Sequence, residues 1–591
     1  MSGFLHRALV CGVAALGLAT PAEAAIRRVP TDFVTLFQAI FESAPGDTVQ
    51  VVGNGGATFH HAQLTFDKDL TIQGGWRADF AVRDPEVYVT VVRDTTNLYN
   101  KALFLVEGSP RLVFDGIQII GGQIGIRSEG GADITLRDCT IRSQRNGAVP
   151  NTPIGPAGGG IRMVGGTLRI ENTRIQNIVT RTEGAGMVLD GVSSFSATGL
   201  QLDNVTAARL TGGSNGGGIW ASGVQDILIE NSTLESCSSV ADGGLLFVTG
   251  GPALLRGCTL RNGLASSDGG ALALVEAGDV TLENCVMEGN RGFFGGGIRA
   301  DDSSLLTLRG CRIAENVAPN EGAGLYLHRT PFEFENCEFE ANIRLITPQT
   351  IVAEGASARV IECDGSVTGT TFTNERSSGR GGSWSQIGGL VSFDGCRFEN
   401  CESGVFGGAI QIELGGEIQV RNSLFHGNRS KFGGSIATSF TATVNIDRST
   451  FVGDIAGSGG ASVYLDTAAI VRFTNSLACL ATRGDVIYCS AATLEVDHSN
   501  VWNDDAVNQR EEYGGACGDP TGTNGNLAVN PGFCVPAAPD WRLSASSPLV
   551  GAAADGGDIG WSGVGCPAAD PLSLEPTSWG RLKASFRQGE R

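Results

Sequence analysis

Asn284-Cys285-Val286-Met287-Glu288-Gly289-Asn290-Arg291-Gly292-Phe293-Phe294-Gly295-Gly296-Gly297-Ile298 is one copy of a unit that recurs along the chain. The next copy reads Gly310-Cys311-Arg312-Ile313-Ala314-Glu315-Asn316, followed by Gly322-Ala323-Gly324-Leu325. Cys258, Cys337 and Cys396 hold the same slot in other copies, and Ser423 and Ser449 replace it in two more. The steps from 258 to 285, 311 and 337 are 27, 26 and 26 residues, and those from 396 to 423 and 449 are 27 and 26. A constant period of this size identifies stacked repeats, each burying its apolar face against its neighbours.

Within the unit, alternating segments such as Leu168-Arg169-Ile170-Glu171-Asn172, Val280-Thr281-Leu282-Glu283-Asn284 and Ile418-Gln419-Val420-Arg421-Asn422 read as strands buried on one face and closed by a turn former. A second short strand follows the Cys or Ser slot. A third follows the glycine pair, as in Gly269-Gly270-Ala271-Leu272 and Gly407-Gly408-Ala409-Ile410. Three short strands in one period predict an all-β, single-stranded right-handed parallel β-helix, with about 26 residues per coil. A propeller blade needs a longer period, and helical periodicity for an α-solenoid is absent.

Coils stacked at about 4.8 Å align equivalent side chains into ladders. The predicted ladders are Cys258, Cys285, Cys311, Cys337 and Cys396; Asn290, Asn316, Asn342 and Asn428; and an apolar one through Ile219, Leu246, Leu272, Ile298, Leu325, Ile410, Ile436 and Ser462. The glycine pairs supply positive φ at a corner where a Cβ would clash. Counting from residue 50 to 500 gives roughly 17 coils and a rod of about 80 Å.

The flanks differ from the repeats. His6 and Arg7, the apolar run Ala8 to Ala19 and Pro21-Ala22-Glu23-Ala24 have the three parts of a cleavable export signal, 1–24. Val10 stands before Cys11 where a lipoprotein needs a small residue. Thr35-Leu36-Phe37-Gln38-Ala39-Ile40-Phe41-Glu42 predicts a short capping helix stopped by Pro45-Gly46. The organisation is thus 25–99 N-terminal cap and first coils, 100–504 repeats, 505–566 C-terminal cap and 567–591 linker or tail.

With 62 acidic against 42 basic residues the formal charge is −20, unchanged by loss of 1–24, which carries Arg7 and Glu23. That balance excludes a nucleic-acid partner, which needs a basic face. No later stretch has the apolar length of a membrane helix. The chain reads as exported, secreted or held at a cell surface, and monomeric.

Phe339-Glu340-Ala341-Asn342 and Phe425-His426-Gly427-Asn428, paired with Gly407-Gly408-Ala409-Ile410, resemble the short motifs of polymorphic outer-membrane proteins and related β-helices. Those proteins end in a translocator barrel, for which this chain has no length. The segments Asn524 to Cys534, Asp540 to Pro548 and Asp558-Ile559-Gly560 resemble the closing part of bacterial exported choice-of-anchor proteins, and Thr577 to Arg587 resembles tails found on some of them. The resemblance implies fold and surface location more than activity.

Of the 15 cysteines, the ladder members read as buried thiols, with disulfides between neighbours left open by an uncertain torsion. Cys479, Cys489, Cys517 and Cys534 lie outside the repeat and read as staples of the C-terminal cap, Cys517 with Cys534. Zinc is the weaker rival, since no Cys-x-x-Cys occurs.

For chemistry, Asp301 and Asp302, with Arg299 and Arg312 near in sequence, form the best local constellation, followed by Asp504-Asp505. Adjacent carboxylates on a strand point to opposite faces, so the bland reading is a solvated turn. His60-His61, His328, His426 and His498 lack metal spacing. No cofactor is expected; enzyme chemistry on such a fold would call for calcium held by carboxylates beside an Arg, and no sequence feature supports it. Two functions follow: a non-catalytic exported β-helix for cell-surface interaction or adhesion, or a carbohydrate-active enzyme, a polysaccharide lyase or hydrolase working in a groove. Binding is expected where the period stretches, at 143–160 and 343–390.

Overall fold

The computed structural model describes residues 24–53, 58–94, 101–146, 157–208, 214–343, 354–504, 511–535 and 540–567. The export signal and the tail therefore lie outside the described residues, apart from Ala24 and Pro567. The chain is a right-handed parallel β-solenoid of about 19 turns with about 26 residues per turn. At the parallel spacing this is a rod of roughly 90 Å. The turn count exceeds the expectation because stacking begins at Ile26 and includes short turns, such as Thr48 to Thr71.

Three sheets run the length of the rod. Face A has 18 strands, from β1 (Ile26–Val29) and β2 (Thr48–Val52) to Thr493–Asp497. Face B carries the strands after the Cys or Ser slot, such as Val286–Glu288, and face C those after the glycine pairs, such as Ile298–Asp301. Inward side chains form one continuous core. Phe339, Phe372, Phe398, Phe425 and Phe451 stack through it with centroids 5.0, 4.6, 4.7 and 4.5 Å apart, one ring per coil.

The two glycines of each pair serve different needs. Gly269 has φ +66°, which side chains rarely adopt, whereas a Cβ on Gly270 would lie 2.3 Å from the carbonyl oxygen of Gly296 in the next coil. Asn172, Asn231, Asn284, Asn336 and Asn422, which close the face A strands, also sit at positive φ, between 46° and 52°. Asn tolerates that region better than other side chains.

The ladders are hydrogen-bonded in one direction. Asn290 donates its backbone N–H and its Nδ2 to Asn316 Oδ1, and Asn316 does the same to Asn342. The remaining Nδ2 hydrogens go to Leu260, Met287 and Ile313 carbonyls. Asn342 passes to Glu375, Cys401 fills the next position, and Asn428 passes to Asp454. Cys258, Cys285, Cys311, Cys337 and Cys396 are buried free thiols, each donating to a carbonyl about one coil back. Burial pushes the Cys396 thiol up to about 12. The apolar ladder needs one correction: Ile436 pairs with Val463, not with Ser462. That coil has 27 residues, and a slip of one residue reverses the face.

The helix spans Leu36–Glu42, with the Thr35 hydroxyl accepting from Gln38 N, and it buries Leu36, Ala39 and Ile40. At the other end stacking passes the expected boundary at 504, since Tyr513–Gly515 pairs with Ile487–Cys489. The cap begins beyond it. Phe533, Trp541, Leu549 and Ile559 fold back and pack on Leu424, Val452, Leu477 and Cys479 of face B.

The expected pairing of Cys517 with Cys534 is not formed. Cys489 bonds to Cys517 and Cys534 to Cys566, while Cys479 remains a buried thiol beneath the cap. Cys517 follows two residues after Gly515, which stacks on Cys489, whereas Cys534 already belongs to the cap sheet of Phe533–Val535, Asp540–Ser544 and Val564–Cys566.

Stretched coils run from Ile126 to Ile161, Met187 to Ile219 and Leu325 to Ala358. The expected stretch at 343–390 ends early: Ala358, Trp384 and Ile410 follow at regular steps of 26. The extra residues at 147–156, 209–213 and 344–353 lie outside the described residues, each between a face B and a face C strand.

Candidate functional site

Strand parity places the sequence candidates. Ile298 and Ala300 point into the core, so Arg299 and Asp301 project from face C. Arg299 joins Asp268 and Asp301, and Asp301 Oδ1 lies 3.3 Å from His328 Nδ1. Asp302 turns away at φ +49° and pairs with Arg329 at 2.6 and 2.7 Å. Arg312 does not join them. It projects from face B, between Glu340 at 2.7 Å and Glu288 at 3.4 Å.

One to four coils on, the same face carries a second ionic cluster, which sequence reading missed. Arg359, only 5% exposed, reaches Glu354 at 2.5 Å and Glu321 at 3.5 Å, and Arg380 pairs with Glu413 at 2.6 Å. Burial raises the carboxyls of Asp242 and Glu354 above their usual range. Most carboxylates here are held by a guanidinium in fixed geometry.

The other candidates are dispersed. His426 lies on face B with its ring centroid 5.0 Å from that of Trp541, and burial lowers its basicity. His498 pairs with Asp497 at 3.0 Å. His60 and His61 lie on Thr58–His61, and Asp504 follows Asn500–Trp502, while Asp505 is outside the described residues. Among the described residues no group of three or more His, Cys, Asp or Glu is placed to hold a metal ion.

The largest concave surface described here is on face B. After Leu70–Trp76 the chain leaves the stack and returns at Thr90. This excursion is pinned as a wall: Arg83 donates to Gly74 O at 2.9 Å and pairs with Asp115, and Asp84 Oδ1 accepts from the Glu86 and Val87 amides. Pro85 lies against Gly116, where a Cβ would approach its Cγ to 2.7 Å. Between wall and sheet lies a cleft of about 790 Å³.

Its floor is a register of outward polar side chains, one per coil: Gln118, Thr140, Arg174, Gln201 and then Thr233. Arg174 Nε donates to Gln201 Oε1 at 2.8 Å. A second compartment of about 410 Å³, with Gln176, Asp203, Glu235 and Arg261, shares Arg174 and Gln201 with the first, so the two are continuous. At the far end the Trp561 ring of the C-terminal cap lies 5.7 Å from the Arg397 guanidinium. Gln118 and Arg397 are ten coil steps apart in register, so the strip between wall and cap is about 50 Å long. Its signal in sequence was the pattern Arg174-x-Gln176, Gln201-x-Asp203, Thr233-x-Glu235, which also describes any solvated strand face.

A family model described as the right handed beta helix region matches residues 159–364. Comparison with curated proteins finds no match.

Proposed function

We propose that this is an exported surface protein whose face B binds an extended, hydroxyl-rich polymer, a polysaccharide, without cleaving it. The observation that carries this reading is the continuous cleft over Gln118, Thr140, Arg174, Gln201 and Thr233. Amide, hydroxyl and guanidinium groups repeating once per coil suit a ligand that itself repeats hydroxyls along one axis, and the rigid rod keeps their spacing. Many weak, regularly placed contacts favour a long chain over a small molecule. The N-terminal signal and the acidic, polar exterior support export, and the resemblance to surface β-helices points the same way.

A second reading, a polysaccharide lyase or hydrolase, is favoured by one observation: Asp242 and Glu354 are raised carboxyls on the face that also carries Asp301. A polysaccharide array followed by product detection separates the two. Retention of a polymer without release of fragments supports the first reading; release of fragments overturns it.

A further inference from the structure

The start of the first coil is tied by Asp47, a carboxylate only 1% exposed. Its Oδ1 accepts from the backbone nitrogen of Ala25 at 2.8 Å, and its Oδ2 accepts from Ala44 N and Arg27 Nε, both at 3.0 Å. Ala25 is held from its other side as well, since its carbonyl accepts from Thr48 N at 2.9 Å. Ala24, one residue earlier, is exposed. Ala25 is therefore the first residue held by the fold among those described, and its nitrogen points at a buried anion.

The sequence Pro21-Ala22-Glu23-Ala24 ends an export signal between these same two residues. From this coincidence we infer that the chain is cut between Ala24 and Ala25 and that the freed α-ammonium of Ala25 becomes an ion-pair partner of Asp47. The step is hydrolysis by an export endopeptidase. Water adds its hydroxyl to the Ala24 carbonyl carbon, the peptide C–N bond breaks, and the Ala25 nitrogen takes up protons to become –NH₃⁺. Before the cut Asp47 receives a neutral amide hydrogen there. After it, the same oxygen faces a full positive charge, so an ion-pair attraction is added to a hydrogen bond that the carboxylate already made charge-assisted.

The consequence falls on β1. Among the described residues this strand pairs only with β2 and no coil lies beyond it, so it is the natural place for the rod to fray. Processing thus fastens the end of the solenoid as it releases the leader. Asp47 has a second charged neighbour in Arg27, so the ammonium adds to an existing pair and does not rescue a bare carboxylate.

The inference rests on export, and its test separates the two. N-terminal sequencing of the exported chain is expected to read Ala25-Ile26-Arg27; another terminus, or a retained leader, overturns the cleavage. Hydrogen exchange then compares the chain beginning at Ala25 with one keeping Ala24 as its first residue, each with Asp47 and with Asp47→Asn. Exchange of the Ile26–Val29 amides is expected to be several-fold slower in the Ala25 form, up to about fivefold, the size of one partly exposed ion pair. The difference is expected to vanish in Asp47→Asn. Equal exchange in both forms with Asp47 intact overturns the ion pair whatever the route of export, and a polymer-binding failure bears on neither result.

Discussion

Asn316 Oδ1 accepts both the backbone N–H and the Nδ2–H of Asn290, each at 3.0 Å, so a single buried oxygen closes two donors of the preceding coil. Its own Nδ2 donates to Met287 O at 3.1 Å and to Asn342 Oδ1 at 3.0 Å. The amide is a link in a fully buried chain that satisfies the corner backbone.

Asn316→Ala removes these bonds and leaves the partners buried. Unpaired polar groups of this kind cost about 1–3 kcal/mol each, so a loss of about 2–4 kcal/mol is expected after local relaxation. Urea unfolding followed by circular dichroism measures it. A loss within about 0.5 kcal/mol, the usual range for a surface change, would refute the ladder's role.

Glu375 and Asp454 occupy the Asn ladder positions, and burial pushes each carboxyl up to about 8. Below their unfolded values near 4 both states are protonated, and the folded state pays no charge penalty. Between there and about 8 the unfolded chain releases a proton that the folded chain keeps, so stability falls as pH rises and levels off above about 8. The loss is on the order of 4 kcal/mol per group between pH 4 and 9. Unfolding midpoints across that range are expected to fall, and Glu375→Gln with Asp454→Asn is expected to flatten the slope. Unchanged slopes in the double variant would show that neither acid is held neutral.

Glycines separate by surroundings. Gly270→Ala places a Cβ 2.3 Å from Gly296 O and 2.4 Å from Arg291 N, whereas Gly223, at φ +59°, has nothing within 4 Å of the added atom. The second change is expected to cost about 1–2 kcal/mol for its left-handed backbone alone, and the first more than that. Thermal unfolding of the two variants gives the order; a reversed order would contradict the close coil contact.

Cysteine chemistry gives a thiol count. The ten free thiols are buried, so native protein is expected to show no fast reaction with a thiol reagent, and unfolded, unreduced protein lacking 1–24 to show ten. Cys517→Ser is expected to lower stability by about 3 kcal/mol, reflecting the closed loop of 28 residues. Fourteen reactive thiols in the unfolded chain would refute both bridges.

The fold was legible because period and burial are local properties repeated many times: Cys285, Asn290 and Ile298 keep their places relative to one another in coil after coil. The misreadings came where a long connection or a single inserted residue broke the count. The insertion at 344–353 hides Glu375 as the successor of Asn342, and the 27-residue step after Ile436 puts Val463 where a 26-residue count puts Ser462. Sequence spacing does not give the disulfide partner of Cys517, because the distance to Cys489 depends on where the last coil ends. The cleft was illegible for another reason. Gln118, Arg174 and Gln201 have the polar character of any exposed strand, and only the wall pinned by Arg83 and Pro85 makes their surface concave.

The most direct test of the binding account is equilibrium binding of the polymer found on the array to the intact protein and to an Arg174→Ala, Gln201→Ala variant, with Asp301→Asn as a second variant. Loss of the two cleft side chains is expected to weaken binding at least tenfold with the unfolding temperature unchanged, and Asp301→Asn to leave affinity as it was. Full affinity in the cleft variant, or loss of binding in Asp301→Asn with its fold intact, would contradict the account and move the site to face C.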